Sequence, residues 1–143
     1  MVRPRGERMR EIKFRLIFNG EIVGCERHAY CGYGVSLFHS VDGQEWFNIE
    51  FGHYILHDDK NQYTGRKDNN DKEIYESDIC NILRYDKKTW EVVEVIWMGV
   101  LTAFGYRGYY GSKTTSDYYG LRTENIMTRE IIGNMYKNKE LLE

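Results

Sequence analysis

At 143 residues the chain is long enough for one domain with a self-standing core and too short for two ordinary ones. Hydrophobic residues at 41% and charged residues at 29% exclude a disordered composition, and a net charge of −2 excludes a uniformly basic nucleic-acid binder. Twelve Tyr, six Phe and three Trp, with fourteen Gly against one Pro, favour strands joined by glycine turns over a helical bundle.

Residues 1–8 lack periodicity and are expected to form a mobile basic arm ahead of a single β domain over 9–143. Arg3, Arg5, Arg8, Arg10, Lys13 and Arg15 against Glu7 and Glu11 leave +4 on residues 1–15 and −6 on the remainder. Ile12, Phe14, Leu16 and Phe18 then alternate with Lys13, Arg15 and Ile17, the period-2 pattern of a strand with one buried face. Asn19-Gly20 predicts a type I′ hairpin turn, because both central residues need φ > 0, and Glu21-Ile22-Val23 returns from it.

The stretch 26–34 reads as turn-rich. Val35, Leu37, His39 and Val41 share one face of a second strand, closed by another type I′ signal at Asp42-Gly43 and partnered by 46–51. Tyr54-Ile55-Leu56 is a short apolar continuation, whereas 58–72, nearly all charges and turn formers, predicts a long exposed connection. Strands follow at 79–85 and 90–98, the second apolar on both faces, so 79–98 is expected at the centre of the core. The Gly- and Tyr-rich segment 105–120 predicts a mobile loop. A closing strand over 128–136 and a helical turn at 138–143, with Asn138 as N-cap, complete the chain.

Three cysteines (Cys25, Cys31, Cys80) and no apolar leader are expected of free or buried thiols in a reducing cytoplasm. No apolar run approaches the roughly 18 residues of a membrane span.

The candidate chemistry is sparse. His53, His57 and Asp58 are the best metal ligands, since zinc takes imidazole and carboxylate. On a straight strand, however, positions 53 and 57 stand about 13 Å apart, too far for one ion, so exposed edge-strand histidines are the preferred reading. Asp68, Asn70, Asp71 and Glu73 superficially suggest a calcium loop, but Lys72 occupies a ligand position and the sharp-turn glycine is missing. Ser36 and Ser40 flank His39 but point to opposite faces of a strand from it, so no nucleophile–base pair forms. No cofactor motif is present. Nucleic acid offers a fuller constellation. Arg3, Arg5 and Arg10 would contact phosphates, while Tyr106, Tyr109, Tyr110, Tyr118 and Tyr119, beside Arg107 and Lys113, would stack on unpaired bases. The same tyrosines would equally pack across a subunit interface.

Three blocks of the sequence resemble the YopX family of bacteriophage and prophage proteins. Met9-Arg10-Glu11-Ile12-Lys13-Phe14-Arg15 is similar to its opening. Gln62-Tyr63-Thr64-Gly65, running on through Lys67-Asp68 and Lys72-Glu73-Ile74-Tyr75-Glu76-Ser77-Asp78-Ile79, resembles its central signature. Ile131-Ile132-Gly133-Asn134, with Glu140-Leu141-Leu142, resembles its ending. Two positions depart from the pattern, Ser77 where the family usually has Gly and Lys139 where it usually has Pro. The resemblance implies a phage or prophage origin, a cytoplasmic location, a barrel-like β fold and self-association, and it implies no activity.

The expected fold is therefore mainly β, a small barrel-like or strongly bent antiparallel sheet of SH3-like kind, with a short C-terminal helix. The expected function is that of a non-enzymatic accessory protein which binds a host or phage macromolecule, as a homo-oligomer and away from membranes. A nucleic-acid-binding module and a metal-dependent hydrolase are the alternatives.

Overall fold

A computed structural model describes residues 12–31, 34–84, 90–98, 103–108, 118–120 and 126–142. The described strands form two antiparallel sheets. The first sheet contains β1 (Lys13–Phe18), β2 (Glu21–Cys31), β3 (Gly34–Ser40), β4 (Phe47–Asn48), β5 (Asp59–Lys67) and β6 (Glu73–Tyr75), in the order β4-β3-β2-β1-β5-β6. The second contains β7 (Asp78–Arg84), β8 (Trp90–Met98), β9 (Ala103–Gly108), β10 (Tyr118–Gly120) and β11 (Ile126–Asn134), in the order β10-β9-β8-β7-β11. The sheets bend and do not close into a barrel.

The first hairpin follows its sequence signal. Asn19 and Gly20 take φ of 49° and 77°, and Phe18 pairs directly with Glu21. At Asp42-Gly43 only Gly43 has positive φ, and a wider loop over 41–46 replaces the expected two-residue turn. Its organiser is the Asp42 carboxylate, whose Oδ1 accepts the Gln44 and Glu45 N–H groups at 2.9 and 3.0 Å. The expected partner strand over 46–51 shrinks to β4. A 3-10 turn at Ile49–Phe51 follows, opened by the Asn48 side chain and closed by left-handed Gly52.

Three segments expected to be turns or loops contain strands. The 26–34 stretch carries most of β2, which is hydrogen-bonded on both sides by β1 and β3. Within β2 a Cβ at Gly24 would stand 2.7 Å from both Ile55 Cδ1 and the Ser40 carbonyl oxygen, so only glycine lets the 53–57 segment cross there. The 58–72 connection holds β5, which joins β1 to β6. Polar Asn61 and Thr64 are buried there with hydrogen-bond partners, which a pattern of hydrophobicity cannot reveal. In 105–120, residues 105–108 belong to β9 and 118–120 form β10 beside it. The C-terminal helix is only a 3-10 turn, Lys139–Leu142.

The core sits where 79–98 was expected. Cys80, Ile82, Val93, Val95, Phe104 and Tyr106 of the second sheet meet Ile74 of β6, and Ile131 packs against them. Each fully buried aliphatic side chain contributes on the order of 1.5–3 kcal/mol. Burial pushes the Cys80 thiol far above its ordinary range, as befits a packing residue.

Candidate functional site

Two polar constellations stand out, one between the sheets and one on the outer face of the first sheet. The inner one is built from the family-like signature. Arg15 on β1 is buried, and its Nη1 donates to Asp78 Oδ1 at 2.5 Å. Its Nε and Nη2 both donate to Asn61 Oδ1, and Nη2 also donates to the Glu76 carbonyl at 3.1 Å. The other Asp78 oxygen accepts the Tyr75 N–H at 2.8 Å. Asn61 donates to the Tyr136 hydroxyl, which donates to Asp59 at 2.5 Å. Asn134 shapes the turn that delivers Tyr136, its side chain accepting from the Tyr136 and Lys137 N–H groups. Gly133 leaves room for this turn, because a Cβ there would lie 2.5–2.7 Å from three side-chain atoms of Asn138.

The other signature residues also hold backbone. The Glu76 N–H donates to the Gln62 carbonyl at 3.0 Å, and Tyr63 lies against Tyr75 with ring centroids 5.5 Å apart. Thr64 Oγ1 donates to the Ile74 carbonyl at 2.7 Å, and Gly65 takes φ of 85° where the β5–β6 register shifts. Asp68 accepts from Asn70 and Lys72 in its own turn and from Ile131 on β11. Burial would raise its carboxyl, but these backbone N–H groups hold it below its ordinary value. Glu76 is raised by burial and by the neighbouring charges of Asp59 and Glu94. The signature is a structural clamp with no nucleophile and base in register.

The outer constellation gathers all four histidines of the chain. Glu26 on β2 is buried, and its carboxylate accepts from His28 Nε2 at 2.9 Å, His39 Nε2 at 3.0 Å and Lys60 Nζ at 2.9 Å. Burial would raise its pKa; the three hydrogen bonds outweigh that and hold it at about 2. His39 is fully buried, and its Nδ1 accepts the Ile55 N–H at 2.9 Å, so its proton sits on Nε2 facing Glu26. Both ring nitrogens are thereby used, and the imidazole ties the 53–57 strap to β3. Tyr54 and His57 lie against His39 at 5.0 and 5.8 Å between centroids, and His53 stacks on Phe47 at 4.5 Å. Around them opens a cleft of about 320 Å³ lined by His39, Val41, Asp42, Glu45, Phe47, His53, Tyr54 and Ile55.

Sequence reasoning singled out His53 and His57 as metal ligands, weighed His39 only as a partner for Ser36 or Ser40, and missed Glu26 and His28. Glu26 gave no signal, because it falls in the stretch read as turn-rich; what gives it partners is the strand order β3-β2-β1-β5, which brings His39 and Lys60 to it. The metal reading finds different work for its residues. His57 Nδ1 donates to the Ile55 carbonyl, and Asp58 accepts the Asn19 N–H of the first turn. Among the described residues no three His, Cys, Asp or Glu side chains converge on an ion site.

Of the residues assigned to nucleic acid, Tyr106 is corrected: it is wholly buried in the core, so its ring has no face for a base. Arg107 donates to Glu94 at 2.8 Å, its cross-strand partner. The backbone of Tyr118 and Tyr119 pairs with Arg107 and Tyr106 in β10–β9. Arg3, Arg5, Arg10, Tyr109, Tyr110 and Lys113 lie outside the described residues. Among the described residues no helix is long and apolar enough to cross a membrane.

Comparison with curated proteins finds no match. Among solved structures, the chain is similar to the X-ray crystal structure of the protein YopX from Bacillus subtilis, with 19% identity and a TM-score of 0.50 over 94% of this chain and 100% of that one. At that identity the likeness speaks for the fold alone. The family model described as YopX protein matches residues 35–143, so the clamp built by Gln62 to Asp78 and by Gly133-Asn134 falls inside the match, and the chain belongs to the YopX family.

Proposed function

We propose that this protein is a phage- or prophage-type accessory protein that works by binding, and that its recognition surface is the cleft edge of the first sheet. The observation that carries this reading is the exposure of large apolar side chains in one stretch of chain. Val41, Phe47, Phe51, Tyr54 and Leu56 are all exposed, and three of them line the cleft. Exposed aromatics over a rigid polar base are a common composition for an interface core. His39 and Glu26 supply that base. They fix the strap without offering a free nucleophile or base, which favours recognition over catalysis.

Phe51→Ser and Leu56→Ser test the reading, because both residues are exposed and their loss leaves the core intact. A bacterial host protein captured by the wild type is expected to be lost with both variants and retained by Ile132→Ser on the second sheet. Capture that ignores the Phe51 and Leu56 substitutions overturns the assignment of this face. Self-association, the companion expectation, is read by sedimentation velocity over a concentration series.

The nucleic-acid reading is the weaker one, since Tyr106 is core and Arg107 is engaged by Glu94. Binding of short oligonucleotides that falls steeply with salt would revive it.

A further inference from the structure

We infer that the cleft beside β3 receives a cationic side chain, an arginine or lysine presented by a peptide segment of another polypeptide. This rests on the binding reading above and names the chemistry of the partner. The cleft's volume, about 320 Å³, lies at the small end of the ligand-pocket range and admits one long side chain. Its lining includes three rings: Phe47 and His53, which stack on each other, and the exposed Tyr54. Among the described residues that line it, the carboxylates are Asp42 and Glu45 and none is a lysine or arginine.

Asp42 is held ready for such a role. Its Oδ1 accepts from Ser40 Oγ, Gln44 N and Glu45 N at 2.9–3.1 Å, and those backbone hydrogen bonds hold its pKa below the ordinary value. Charge and ring faces together select the ligand. An anion would meet two carboxylates, and a neutral apolar group would leave them unused. A flat guanidinium or an ammonium satisfies both, by cation–π attraction and by ion pairing. The chain uses the same chemistry beside the cleft, where the Arg27 guanidinium sits 4.5 Å from the Trp46 ring centroid. His39 has both nitrogens occupied and serves as the floor.

The test is a titration of the isotope-labelled full chain, followed by amide NMR, with a capped peptide of alternating glycine and arginine. Its counterpart with glutamate for arginine is the control. The arginine peptide is expected to shift the amides of residues 42–45 and 53–55, with affinity falling as salt rises, and the glutamate peptide to leave them still. Glu45→Gln, at an exposed position that cannot disturb the core, is expected to weaken binding by about threefold or more, and Asp42→Asn with Glu45→Gln by about tenfold.

Equal shifts with both peptides, shifts elsewhere, or affinity unchanged in Glu45→Gln and in the double variant overturn the proposal. Shifts of the same amides on concentrating the protein alone overturn it in favour of a second copy as occupant. If the peptide fails while capture still depends on Phe51 and Leu56, the face binds another chemistry; if both fail, the binding reading falls as well.

Discussion

Single residues carry the clearest energetic consequences. Ser77, standing where the family resemblance expects glycine, takes φ of 70°, a left-handed conformation that costs an L-residue roughly 1–2 kcal/mol. The corner needs that conformation, because the Ser77 N–H donates to Val95 and its carbonyl accepts from Met135, at 2.9 Å each. Ser77→Gly is therefore expected to raise stability by up to about 1 kcal/mol, since glycine's larger unfolded-state entropy offsets part of the relief. Urea denaturation measures it, and a loss of stability would contradict the strain argument. Gly133→Ala is expected to act in the opposite direction. Its Cβ must displace Asn138, whose side chain accepts the Asn134 N–H, at a cost of about 1–3 kcal/mol.

At the scale of elements, the strap 53–57 depends on one imidazole. His39→Phe keeps the ring volume but removes the acceptor of the Ile55 N–H and one donor to Glu26. A buried hydrogen-bonding group left without its partner costs about 1–3 kcal/mol. The effect should be local: hydrogen exchange at Ile55 is expected to quicken markedly while amides of β7 and β8 keep their protection. Uniform loss of protection would mean that the strap is no separate unit. Glu26 gives the same region a pH dependence. Its folded pKa of about 2 lies below the ordinary 4.5, so its contribution is complete above pH 4.5 and disappears as pH falls toward 2. That difference corresponds to about 3 kcal/mol at neutral pH. The stability gap between wild type and Glu26→Gln should therefore close between those two pH values, as followed by denaturant titrations at each pH.

For the whole molecule, the decisive contact is the buried Arg15, which joins β1 of the first sheet to Asp78 at the start of β7 in the second. Its guanidinium also lies over the Tyr75 ring at 5.1 Å and holds Asn61 and the Glu76 carbonyl. Arg15→Ala strands the Asp78 carboxylate inside the protein, and breaking such a pair costs about 3–5 kcal/mol. Because the contact spans both sheets, the loss is expected in a single cooperative transition, with far- and near-UV circular dichroism melting together. Separate transitions would show the sheets to be independent.

The sequence alone was sufficient for the β class, the Asn19-Gly20 hairpin, the central place of 79–98 and the family resemblance. Each rests on local information: alternation, turn chemistry with positive φ, and ordered motifs. It misread β5, most of β2 and the end of β9 as turns or loops, because those strands carry polar or small residues that only their neighbours make tenable. Asn61 needs Arg15, Gly24 needs Ile55 above it, and Tyr106 needs the core around it. The candidate site was half visible. His53 and His57 stood out by residue type, whereas Glu26, His28 and His39 acquire their roles through pairing between strands that bring Lys60 and Ile55 to the same place. Partners distant in sequence are chosen by strand register and burial, and that choice belongs to the tertiary structure.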